Sequence, residues 1–468
     1  MAEPPGHMYT QLAAAVARRG TPRSVYAQDT TLSRRGLLTR ADRRAKELAA
    51  LGVRRGDLVA LSMGNVPQFL VLALACSKLR AIPVPVDPSS AERSLAELAR
   101  RLPLTAVVRR PRGQDAPPIE YGDDYGRRAR RRLSGSLLTI EALDPPDLGV
   151  RIPDDAELIV EVLGIGGVVR DIVRSGAQLA AIGEAAAAAL GLDDGARILC
   201  AQPYTVPRFF DTVVLAWLQS RSQLVMAEGP ATSAVLPVAR THERLTVVDS
   251  VRQFAELARA LQASGASLSL RPVIAEALVP TAAGRKLAAA FGTPPVQLLL
   301  LEEIGVLASR VLARGETFVP APGVAVRAGA TMQAGGQEVL VEATFCASSI
   351  PPIPDTEPGA PAQDSWRHTG YAGKFSRTGE LVDVLGRDDG LVNLEGRRAC
   401  LDLIEDELLA HDRITWAEAK VELTDDGEPE VHVAYEATGE TDLDDLEEHV
   451  IGRLPPHMIP RAFSRRSA

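Results

Sequence analysis

The stretch RADRRAKELAALGVRRGDLVALSMGNVPQFLVLALACSKLRAIPVPVDP, Arg40 to Pro88, decides the fold. Leading into it, from Leu37 to Leu51, apolar side chains fall at Leu37, Leu38, Ala41, Ala45, Leu48 and Ala49, a helical stripe with charges between. GVRRGD makes a turn, and LVALS (Leu58–Ser62) reads as a strand. A helix from Pro67 to about Leu79 and a short strand, Ile82–Val86, follow. Further on, Ala91–Leu102 reads as a helix and Thr105–Val108 as a strand. This rhythm predicts a parallel sheet with helices on both faces. It returns from Glu157 to about Leu301, without a repeat that aligns to the first half.

At 468 residues the chain can bury one large core and still carry a second, smaller domain. Apolar residues make up 46% and charged residues 24%, which excludes a disordered or collagen-like chain. The net charge of −8 makes nucleic acid an unfavourable partner. Cys76, Cys200, Cys346 and Cys400 show no CxxC spacing, so neither a zinc site nor a disulfide framework is expected. The opening MAEPPGHMYT does not read as a secretory leader, and no apolar run is long enough for a membrane span. The alanine-rich Ile182–Leu192 is expected as a buried helix, and the cytoplasm as the compartment.

Pro111 to Asp155 breaks the rhythm and holds the basic run RRARRR, Arg127 to Arg132. No aromatic residues interleave with those arginines, so a solvated loop or helix face is expected there. A proline-rich loop spans Ser348 to Ser365. The composition turns acidic after Gly386, with DDGEPE as a turn before the strand VHVAY. The expected architecture is α/β: a large N-terminal domain of doubly wound mixed sheets, residues 1–386, and a small C-terminal α+β domain, 387–468.

The opening block resembles the N-terminal region of the adenylate-forming superfamily, which contains acyl-CoA synthetases, peptide-synthetase adenylation domains and luciferases. The resemblance continues in order through Arg174–Pro203, Trp366–Arg398 and Asp445–Phe463, nearly the whole chain. It implies carboxylate activation by ATP, which needs a phosphate cradle, a divalent metal, a ribose anchor and a cation at the transferring oxygen.

The motifs depart from that pattern. The cradle, normally rich in Ser, Thr and Gly, reads VLGIGGVVRD here, Val162 to Asp171. Gly164 and Gly167 keep the glycine positions and Arg170 replaces the lysine. Val162, Leu163, Ile165 and Gly166 stand where hydroxyls would donate to phosphate, and Asp171 adds a negative charge. With no hydroxyls, the segment is also readable as a buried strand-to-helix connection that holds no ligand. A dinucleotide-binding reading of GIGG lacks its third glycine. In QLLLLEEIG, Leu299 and Leu300 replace the Tyr-Gly pair, Glu302 the Thr, and Glu303 keeps the metal-binding position. The ribose-binding T-G-D reads Thr369, Gly370, Tyr371, and a phenol cannot accept from two hydroxyls as a carboxylate does. The hinge motif is intact, with Arg387 matching the nucleotide-contacting arginine and Asp389 the hinge aspartate. The sequence ends at Ser464–Ala468 before any match to the family's C-terminal lysine, which reads as a truncated, degenerate member.

What remains is a scaffold and an acyl pocket, expected along YTVPRFFDTVVLAWL, with Phe210 and Asp211 as substrate contacts. His368, Tyr371, Glu303 and Asp389 are expected to converge as acids or bases in a repurposed cleft. Neither a metal nor another cofactor is expected. The expected function is ATP-independent chemistry on an acyl or aminoacyl substrate, free or on a carrier protein, in bacterial specialised metabolism. A non-catalytic partner of an active synthetase and an active ligase with a remodelled nucleotide site are the alternatives. A homo-oligomer is compatible with the sequence.

Overall fold

The computed structural model describes residues 4–17, 23–27, 30–88, 91–110, 131–134, 138–227, 231–240, 242, 245–265, 268–279, 281–312, 316–333, 335–350, 358–361, 365–394, 396–424, 428–438, 443–451 and 453–466. The helix Arg34–Ala50 starts where the Ser33 hydroxyl accepts from the Gly36 amide at 3.0 Å, and it buries Leu37, Ala41, Ala45 and Leu48. The helix Pro67–Leu79 begins with proline at its first turn and ends on Arg80 in the left-handed region. It is buried along most of its length, wedged between the helix before it and the sheets. The expected Ile182–Leu192 helix overlaps Gly176–Leu190, which opens with a Ser175–Gln178 capping box and stops two residues earlier than expected, on Gly191 in the left-handed region.

A nine-stranded sheet forms the centre. Its interior strands, Arg23–Ala27, Gln223–Met226, Arg197–Cys200, Leu245–Asp249, Leu270–Ile274 and Val296–Leu301, pair in parallel in that spatial order. Antiparallel strands close both edges. A five-stranded sheet pairs Leu58–Ser62 in parallel with Ile82–Pro85 and Leu104–Arg109, and antiparallel strands complete it. One apolar core joins the two sheets through the helices between them. A four-stranded antiparallel sheet, Val324–Thr331, Gln337–Ala343, Arg367–Phe375 and Leu381–Arg387, precedes the C-terminal elements. The hairpin Leu391–Leu394/Arg397–Cys400, the helices Leu401–Leu409 and Leu443–Ile451 and a three-stranded sheet follow, with a separate apolar cluster of their own. The chain is thus a large sheet-rich α/β domain with a small C-terminal α+β domain. Among the described residues no helix is long and apolar enough to cross a membrane.

Three local expectations change. The segment Val162–Asp171 is neither a strand-to-helix connection nor buried throughout. It is the tip of an antiparallel hairpin between Ala156–Leu163 and Val169–Ser175, turned by Gly166 and Gly167 at φ of 63° and 72°. Ser348–Ile350 of the proline-rich loop adds a strand to that hairpin, and residues 351–357 and 362–364 lie outside the description. Arg127–Arg130 also lie outside the described residues, whereas Arg131 and Arg132 begin the strand Arg131–Ser134, where backbone pairing to Thr139–Ala142 replaces the expected solvated loop.

Candidate functional site

Three neighbouring parallel strands end in acids. Asp249 closes Leu245–Asp249, Glu276 follows Leu270–Ile274, and Glu302 follows Val296–Leu301. This edge is where open α/β sheets bind ligands. Asp249 Oδ1 accepts from the Ser250 amide at 2.9 Å and from Gln202 Nε2 at 3.0 Å. Glu276 Oε2 accepts from the Val251 amide at 3.1 Å. Burial pushes both carboxyls up to about 7, against the lowering effect of these donors.

Glu302 and Glu303 meet arginines instead. Arg208 donates Nε and Nη2 to Glu302 Oε1 at 2.9 and 2.6 Å. Arg398 places Nη1 and Nη2 on the two oxygens of Glu303, at 2.5 and 3.0 Å, and its Nε is 3.8 Å from Glu302 Oε2. Burial raises the Glu302 carboxyl, but Arg208 and Arg398 outweigh it and hold the group below its ordinary value. Burial likewise works against the Arg398 charge, and Glu303 and Glu302 more than restore it. Deeper in, Arg174 pairs with Asp211, both essentially without solvent exposure, and donates to the Glu302 carbonyl at 2.8 Å. Three arginines therefore face three carboxylates in one buried, charge-balanced network.

Thr369–Tyr371 and Arg387–Asp389 form a second cluster. Antiparallel register sets Tyr371 directly across from Arg387, whose guanidinium lies 4.4 Å from the ring centroid. Arg387 also donates Nε to Asp389 Oδ1 at 2.8 Å, Nη2 to Asp389 Oδ2, and Nη1 to the Thr369 carbonyl at 3.0 Å. Gly370, at φ of 71°, leaves the space for this: a Cβ there would stand 2.4 Å from Arg387 Nη2.

Between the body and the C-terminal elements lies a cleft of about 610 Å³. Leu163, Gly167 and Val169 of the glycine hairpin line one side, and Leu403, Leu454 and Met458 the other. The hairpin does not present a positive cradle. Asp171 is buried, and Arg101 donates Nε and Nη2 to its two oxygens at 3.2 and 3.1 Å while also pairing with Glu161 directly across the strand. Gly164 donates its amide to the Val168 carbonyl at 2.8 Å, and Arg170 is buried.

The structure brings Tyr371, Arg387 and Asp389 together, whereas Glu303 pairs with Arg398 in the buried network. His368 stands apart. It pairs through Nδ1 with Glu338 on the neighbouring strand at 2.9 Å, as strand alternation dictates when Tyr371 faces inward. Of the expected acyl segment, Thr205, Val206 and Pro207 line the cleft. Phe210 and Asp211 do not: Phe210 packs edge-to-face on Phe69, and Asp211 serves Arg174 within a π-helical turn, Phe210–Leu215. Sequence reasoning missed Arg174, Arg208, Arg398, Asp249 and Glu276. One signal was available, since Arg208 sits inside an otherwise apolar run and a charge in such a run must be paired when buried.

The carboxyl edge of the central sheet opens into a cleft covered by a small α+β unit. A family described as AMP-binding enzyme matches residues 12–133. The olefin beta-lactone synthetase of Stenotrophomonas maltophilia is 39% identical over 80 residues, covering 17% of this chain and 14% of that protein. Novobiocin biosynthesis protein H of Streptomyces niveus is 26% identical over 483 residues, 96% of this chain and 78% of its own. An anthranilate–CoA ligase of Pseudomonas aeruginosa is 27% identical over 487 residues, 92% and 87%. Among solved structures, o-succinylbenzoate CoA synthetase of Bacillus subtilis superposes with a TM-score of 0.75 at 16% identity, over 99% of this chain and 95% of its own. Amide bond synthetase McbA of Marinactinospora thermotolerans gives 0.74 at 16%, over 99% and 96%. These two likenesses are of fold. The chain thus matches the AMP-binding enzyme family over residues 12–133 and resembles adenylate-forming enzymes in fold along its length.

That family implies a divalent metal at Glu303 and a ribose at residue 371. The residues present do not fit them: both Glu303 oxygens are taken by Arg398, and Tyr371 is stacked under Arg387.

Proposed function

We propose that this chain is an adenylate-forming homologue whose nucleotide position is filled by its own side chains, and that it works without ATP on a small acyl or aminoacyl substrate, free or carrier-bound. The observation that carries this reading is the bidentate seating of Arg398 on Glu303, where a metal would otherwise bind. Glu303, Tyr371, Arg387 and Asp389 then close the nucleotide position, in place of the acid–base role expected of the first two, Asp389 and His368. The cleft beside them supplies the substrate site. Similarity to a novobiocin biosynthesis protein and to an anthranilate–CoA ligase supports an acyl or aryl group in biosynthesis.

Those same relatives favour a second reading, an active ligase whose nucleotide site has been rebuilt. Melting with and without Mg-ATP separates the two. A ligand at 100 times its dissociation constant adds about 2.7 kcal/mol. The proposal expects no shift, and no pyrophosphate released from a panel of aryl and acyl carboxylic acids. A clear upward shift, or acid-dependent pyrophosphate, establishes the ligase instead.

A further inference from the structure

Arg397 and Arg398 are adjacent on the strand Arg397–Cys400, so their side chains leave it on opposite faces. One hairpin arm thereby reaches two separate sheets of the body. Arg397 Nη1 donates to Asp87 Oδ2 at 2.5 Å, just beyond the strand Ile82–Pro85 of the five-stranded sheet. Arg398 holds Glu303 and Glu302, just beyond Val296–Leu301 of the nine-stranded sheet, and donates to the Leu163 carbonyl at 3.1 Å on the glycine hairpin. The paired strand adds Asn393, which accepts from Arg208 at 2.6 Å. Arg397, Arg398, Asp87 and Glu302 all line the cleft.

The two arms differ in strength. The Arg398 pairs are about 5% exposed on each side, and breaking them strands a buried charge. The Arg397–Asp87 pair is 23% and 18% exposed, within reach of water and salt. We propose that these neighbouring arginines form a two-armed clasp that holds the C-terminal elements over the cleft, and that release of the Arg397–Asp87 arm opens the cleft to its ligand. The Arg398 arm rests on the reading above, that this guanidinium and not a metal sits on Glu303. The Arg397 arm stands without it.

Hydrogen exchange of the full chain, with no nucleotide present, tests the clasp in three forms: wild type, Arg397→Gln, and the swap Asp87→Arg with Arg397→Asp. Arg397→Gln is expected to speed exchange about tenfold across Leu391–Leu409 and the hairpin tip 163–169, with the helix Arg34–Ala50 unchanged. The swap is expected to return exchange to the wild-type rate, and about 0.5 M NaCl to move wild type towards Arg397→Gln. Unchanged exchange in Arg397→Gln, an equal rise in Arg34–Ala50, or no recovery in the swap overturns the clasp. Stabilisation by Mg-ATP beside a working clasp sinks the proposed function and leaves the clasp standing.

Discussion

Arg398 grips Glu303 with two parallel hydrogen bonds across 95 positions of sequence, and neither side chain is more than 5% exposed. A fork of this kind is the strong form of an ion pair, fixed in direction as well as charge. It also makes the two partners unequal under mutation.

Replacing Arg398 by Met leaves Glu303 and part of Glu302 buried without their cation, and is expected to cost about 3–5 kcal/mol. Glu303→Gln keeps one acceptor for Arg398 and is expected to cost less, about 1–3 kcal/mol. Urea unfolding of both variants checks the order; equal losses contradict it.

The Arg174–Asp211 pair predicts a different pattern. Arg174→Met or Asp211→Leu alone is expected to destabilise by about 3–5 kcal/mol, while the two together recover most of that loss, because no lone charge remains. A double-mutant cycle by chemical denaturation reads the coupling, and additive losses refute it.

Gly370→Ala is expected to be severe for a small change. The new methyl meets Arg387 and Asp389 on a backbone at φ of 71°, so the loss is about 2 kcal/mol or more. Gly379→Ala supplies the comparison: its φ is 87° but nothing lies near its Cβ, so it carries the backbone strain alone. A lower melting temperature for Gly370→Ala than for Gly379→Ala is the expected result.

Asp249 and Glu276 set a pH dependence. Burial lifts each to about 7 in the folded chain, above the usual carboxyl value of about 4. The folded state then holds more protons than the unfolded one between those values. Stability is fully present below about pH 4 and is lost as pH rises through about 7. Melts between pH 5 and 8 are expected to fall with pH in wild type and to flatten in Asp249→Asn, by about 2–3 kcal/mol over the range.

Legibility in the sequence followed the range of the interaction. The helix Pro67–Leu79 and the strand Leu58–Ser62 fall where the sequence places them, because a proline at the first helical turn and the turn residues around the strand are local signals. The hairpin at Val162–Asp171 was not, since its short apolar strands carry no period that separates them from a buried helix or a parallel strand. Tyr371, Arg387 and Asp389 were found as positions, and their mutual closure came only from cross-strand register. His368 failed for the same reason, one residue of alternation away from the inward face. Arg174 and Arg398 lie 37 and 95 positions from their carboxylate partners, and nothing nearby in sequence announces either pair.

The equality of three guanidiniums with three acids beneath the cleft has a bearing on anyone who would refit this scaffold with a catalytic centre. Replacing a single member of this set leaves an odd charge underground, so a workable redesign must exchange whole couples at once.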